Sequence, residues 1–93
     1  MIMNYNDTTL LELAAKAAGI DLGEYWSPYL EEIQNQHWNP LRNDGQALRL
    51  AVKLGIRVPT EWEHEKMERC GLDVYEATRR VIVRAAAEIG ESM

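Results

Sequence analysis

An α+β domain is the fold class this sequence predicts. It would have three main helices, at about residues 8–18, 44–54 and 74–89, packed on a small antiparallel sheet in a single domain over 1–93. Two observations lead there. Three stretches carry apolar residues at helical spacing between a capping side chain and a glycine. The segments between them are rich in aromatic and β-branched residues and broken by proline, which suits short strands. A third observation supports a mostly α alternative: residues 61–70 also read as a helix, the fourth.

In NDTTLLELAAKAAGI, Asp7, Thr8 and Thr9 are candidate N-caps, and Thr9 with Glu12 has capping-box spacing. Leu10, Leu13, Ala14, Ala17 and Ala18 form an apolar face that Leu11 and Ala15 widen. Gly19 supplies the left-handed stop, and Ile20 folds back on the last turn. Residues 21–40 follow, with Gly23, Pro28 and Pro40 opposing one continuous helix. Their aromatics favour strand, although YLEEIQNQ also fits two helical turns. His37–Pro40 is expected to end a strand, with Trp38 as a packing anchor.

The middle helix begins at Asn43 or Asp44, which cap it. Leu48, Ala51 and Val52 make its stripe, widened by Ala47, Leu50 and Leu54, and Gly55–Ile56 repeats the first helix's ending. Residues 56–58 (IRV) are a short β-favouring run before Pro59. Thr60 with Glu63 then offers a second capping box, and Gly71–Leu72 a helix stop. The last helix starts at Asp73, with Glu76 three residues on. Val74, Thr78, Val81, Ile82, Ala85, Ala86 and Ile89 run down one face, and Gly90 is expected to end it.

A net charge of −5 disfavours nucleic acid and anionic membrane surfaces as partners and mildly favours a basic protein. Cys70 is the only cysteine, so an internal disulfide is excluded and a reducing cytoplasm fits best. MIMNYND lacks the basic and apolar regions of a signal peptide, and no apolar run is long enough for a membrane span.

The stretches LLELAAKAAGI, WNPLRNDGQALRLAVKLGI and ATRRVIVRAAAEIG occur in that order. Together they resemble a group of small, largely uncharacterised bacteriophage and prophage proteins, over about half of the chain. The resemblance implies helices packed on a small antiparallel sheet, with WNP as a strand end, and brings no activity with it. It also implies strand between the middle and last helices, where residues 60–71 here read as helix.

No catalytic constellation emerges. His37, His64 and Cys70, even with Glu61, Glu63 or Glu68, lack metal-ligand spacing, so no metal and no cofactor are expected. Cys70 falls at a helix C-terminus, where the dipole opposes a thiolate, and reads as a small buried apolar residue. Glu31–Glu32 and Glu61–Glu63–Glu65 read as solvated faces. Asn43–Asp44–Gly45 lacks the glycines and lysine of a phosphate loop. What remains is a surplus of aromatics and one basic cluster. The residues expected to bind a partner are Tyr25, Trp26, Tyr29, Trp62, Arg79, Arg80 and Arg84, because Tyr, Trp and Arg dominate protein interfaces.

The function expected is therefore non-enzymatic: a phage-type accessory protein that occupies a host or phage protein, its concrete form being inhibition of a defence system such as CRISPR–Cas. The alternative is a small nucleic-acid-binding regulator using the Arg79/Arg80/Arg84 helix, which the acidic chain makes the weaker reading. A homodimer is a further expectation, since alanines at 85–87 permit close helix approach.

Overall fold

The computed structural model describes residues 5–23, 38–59, 61–71 and 73–93, without the side chains of Glu61 and Trp62. The described residues form helices α1 (Asp7–Ala18), α2 (Asp44–Leu54), α3 (Glu61–Arg69) and α4 (Val74–Glu91) and contain no strand. The antiparallel sheet of the α+β expectation is thus corrected, and the mostly α alternative fits. The β-favouring run 56–58 is extended coil, and Trp38–Asn39 leads into a turn. A strand needs a ladder partner for its backbone groups, and neither stretch has one among the described residues. The strand-or-helix question over residues 24–37 lies outside the described residues.

Two helices share one capping scheme. The Asn6 side chain accepts from the Thr9 N–H at 2.8 Å, so Asn6 caps α1, in place of Asp7, Thr8 or Thr9. Asn43 does the same for α2 through the Gln46 N–H at 2.9 Å. At the other ends Gly19 and Gly55 adopt φ of 70° and 67°, a conformation that costs any residue with a Cβ. The following Ile20 and Ile56 donate back to Ala15 and Ala51 at 2.9 Å, completing Schellman-type endings. Asp73 caps α4 by accepting from Tyr75 and Glu76.

Helix α4 is the hub, packing against α1, α2 and α3. It runs parallel to α1: Arg80 meets Asp7 near both N-termini, Gly90 meets Leu13, and Lys16 reaches Met93 near the C-terminal ends. The buried residues of the two helices include small ones, Ala14 and Ala18 on α1 and Ala86, Ala87 and Gly90 on α4, and the alanines among them share one cluster. Gly90 does not end α4, as the sequence reading expected. It is buried inside the helix, and a Cβ there would collide with the Leu13 carbonyl. Two of the three alanines expected to serve a dimer, Ala86 and Ala87, are buried inside the chain.

The core combines Leu10, Leu11, Leu41, Leu50, Ile82 and Val83 with these alanines, and Trp38 and Leu54 pack against its edge. Burying each of the larger side chains is worth about 1.5–3 kcal/mol. Two helix faces differ from those the hydrophobic periodicity indicates. On α2 the buried residues are Ala47, Leu50 and Ala51, while Leu48 and Val52 point outward. On α4 Val83, Ala87 and Gly90 are buried, and Val81 and Ile89 are exposed.

The stretch between Trp38 and Gln46 is a closed joint. Asn39 is buried; its side chain accepts from the Leu41 N–H at 3.1 Å, and its own N–H donates to the Gln46 side chain at 2.6 Å. Arg42 N–H closes the turn on the Asn39 carbonyl at 3.0 Å. Arg79 on α4 donates through Nε to the Leu41 carbonyl at 2.8 Å, fastening the joint to the hub. The most motif-like stretch of the sequence is therefore structural, and Trp38 serves as the expected anchor, on a turn in place of a strand end.

Candidate functional site

A groove of about 490 Å³ opens where α2, α3 and α4 converge. Its floor comes from Ala47 and Leu48 on α2, Val58 before α3, and Val74, Tyr75 and Ile82 on α4. Asp44, His64, Glu68, Thr78 and Arg79 stand around it. The apolar surface spreads beyond the opening. Leu48 is 56% exposed, Val52 75%, Tyr75 72% and Val58 40%. Leu48 and Val52 are four residues apart and so lie on one side of α2.

Each wall has a local cause. Helix α2 carries apolar residues on more than one side, and only the Ala47–Leu50–Ala51 side meets α4 and α1. Tyr75 lies on the same side of α4 as Ile82, but in the first turn, ahead of Arg80, where α1 begins, and so it stays exposed. Helix α3 has no fully buried residue among those described, and its Glu-rich composition explains why. It is held by a His64 Nε2–Thr78 hydroxyl contact at 3.2 Å and by the Arg57–Glu63 ion pair at 2.9 Å. The Arg79 guanidinium, largely buried, bonds the exposed Asp44 carboxylate at 2.7 Å, spanning α2 to α4.

Chemically the arrangement offers surface more than reactivity. A hydroxyl–imidazole pair becomes a nucleophile only with a group orienting the second ring nitrogen and donors for an oxyanion. Among the described residues no hydrogen bond joins the other His64 nitrogen to a carboxylate. Nor do three His, Cys, Asp or Glu side chains converge among them. Cys70, expected to be buried, is exposed just past α3. The short, weakly held α3 presents no apolar pocket for it.

The expected partner-binding residues are scattered. Tyr25, Trp26 and Tyr29 lie outside the described residues, as does the side chain of Trp62. Arg79 faces the groove but is engaged by Leu41 and Asp44. Arg80 turns the other way and forms a two-pronged pair with Asp7, at 3.1 and 3.4 Å, tying α4 to α1. Arg84 is exposed and has no ion pair among the described residues. The three arginines therefore form no single patch, and carboxylates occupy two of them. Leu48, Val52, Val58, Tyr75 and Glu68 were not singled out from the sequence as binding residues. The one signal available was that α2 carries more large apolar residues than one face can bury.

No helix among the described residues is long and apolar enough to cross a membrane. No family model, curated protein or solved structure matches this chain. None of these comparisons supports a bacteriophage or anti-CRISPR assignment, and the expected α+β class is corrected to an all-helical one for the described residues.

Proposed function

We propose that this chain is a non-catalytic binding protein that acts by occupying a protein partner through the α2–α3–α4 groove. One observation carries the reading: Leu48, Val58 and Tyr75, all large and apolar, stand exposed around one concave surface, and Val52 extends the apolar patch along α2 beyond it. Scattered apolar residues are ordinary on a protein surface, but a contiguous set beside a groove marks an interaction site. The salt-bridged Asp44–Arg79 pair at its edge matches the polar rim of such interfaces. The proposal places the chain in a reducing cytoplasm, where the exposed thiol of Cys70 stays reduced.

The test is comparative capture from a cell lysate. Wild type and a Leu48→Asp, Tyr75→Ala double variant are used as bait at equal loading, after thermal melts show that both are folded. A stoichiometric protein that wild type retains and the variant loses supports the groove. A partner held equally by both removes the groove from the function. The arginine-helix alternative gains nothing from the geometry, since Arg79 and Arg80 already hold carboxylates.

A further inference from the structure

We infer that the groove accepts an amphipathic helical segment of a partner that carries lysine or arginine beside its apolar anchors. This rests on the reading of the groove as a docking surface and names the class of partner. The charge around the opening carries it. Arg79 is the cation of the lining, and it is already engaged, with the Leu41 carbonyl at 2.8 Å and the Asp44 carboxylate at 2.7 Å. Asp44 is neutralised by the same contact. What remains is negative. Glu68 lines the groove, and Glu65 lies one turn earlier on the same side of α3. Asp73 sits at the start of α4, next to Val74 and Tyr75. All three carboxylates are exposed, and none has an ion pair among the described residues.

An apolar floor with a carboxylate wall on one side selects its occupant by sign. A neutral or acidic helix would bury the same apolar surface but leave Glu68, which lines the groove, facing low-dielectric material or like charge. A cationic flank pairs with it and steers the encounter. The shape argues for a helix. The walls are themselves helices, whose ridges and grooves receive another helix, and the described residues expose no sheet edge for a strand to extend. The volume of about 490 Å³ leaves room for several aliphatic side chains at helical spacing. The competing occupant is a second copy, because α2 itself exposes Leu48 and Val52 beside Arg49 and Lys53.

The experiment uses the full chain and two labelled helical peptides of about 16 residues, long enough to hold a helix once docked. Both carry leucines at i, i+3, i+4 and i+7; one is flanked by lysines, the other by glutamates. Fluorescence anisotropy is read at ~50 mM and ~500 mM salt, spanning strong and weak screening, with amide-shift mapping by NMR. The expected result is about tenfold tighter binding of the lysine peptide at low salt, equivalent to about 1.4 kcal/mol. That preference shrinks at high salt, and shifts centre on Leu48, Tyr75 and Glu68. A Glu65→Lys, Glu68→Lys variant reverses the preference, and the milder Glu68→Gln reduces it. Equal affinity for both peptides, with shifts in the groove, overturns the cationic partner and leaves the docking surface standing. Shifts confined elsewhere, or none, overturn both. A dimer seen by light scattering and abolished by Leu48→Asp, at a residue that lines the groove, assigns the groove to a second copy and overturns the proposal.

Discussion

Gly90 shows how much one missing side chain decides. A glycine at an exposed helix position costs about 0.5–1 kcal/mol relative to alanine, so Gly→Ala there stabilises. At Gly90 the sign reverses, because the added Cβ meets backbone of Leu13, which cannot swing aside as a side chain would. Gly90→Ala is expected to destabilise by about 1–3 kcal/mol through overpacking. Urea unfolding measures it, and a variant as stable as wild type would show that α1 and α4 are not in close contact there. Leu11 is the opposite case, fully buried in the core, and Leu11→Ala is expected to cost about 2–5 kcal/mol by leaving a cavity. Asn39 works through hydrogen bonds. Asn39→Ala removes the acceptor for the Leu41 N–H, and leaving such a buried donor unsatisfied costs about 1–3 kcal/mol. The Arg80–Asp7 pair is half-exposed and contributes no more than about 1 kcal/mol.

The four elements are held to different degrees. Helices α1 and α4 bury an extended common face, whereas α3 touches only α4 among the helices. Its exposed backbone hydrogen bonds and thin packing place it at the low end of local stability. Amide hydrogen exchange is therefore expected to be much faster in 61–69 than in the buried stretches of α1 and α4. Thr78→Val, which removes the contact to His64, is expected to speed exchange in α3 while leaving α1 unchanged. Uniform protection across all four helices would contradict this ranking. The element scale also explains the similar sequence endings AAGI and LGI. They are two Schellman-type stops, and the likeness reflects shared capping chemistry.

For the molecule as a whole, stability and binding are carried by different surfaces. The α1–α4–α2 core makes the domain, and the groove edge contributes little to it, because Leu48 and Val52 are mostly exposed. Val52→Asp is accordingly expected to change stability by no more than about 0.5 kcal/mol. A thermal melt checks this, and a large drop would show that Val52 packs against something in the folded chain. Partner binding through the groove is expected to fall in Leu48→Asp, whose side chain lines it.

Read from the residues, the three main helices and most of their caps were legible, whereas Asn6 as the cap of α1 was missed and the fourth helix stood only as the alternative. Asn43, Asp73, Gly19 and Gly55 act within a few residues of the backbone they satisfy, so local sequence suffices to find them. The choice between a sheet and a fourth helix was not local, since aromatic and β-branched runs become strand only when another segment supplies a ladder. Nor was the choice of buried face. Periodicity ranks side chains by size and apolarity, and so favoured Val81 and Ile89 on α4 and Leu48 and Val52 on α2. The folded chain buried the expected Ala86 together with Ala87 and Gly90, because small residues let two helix axes approach closely. The groove follows from that exchange. Chain chemistry alone determined, to within a residue or two, where the three main helices start and stop; three-dimensional packing decided which apolar residues were left facing outward, because that depends on the shape of the neighbour each helix meets.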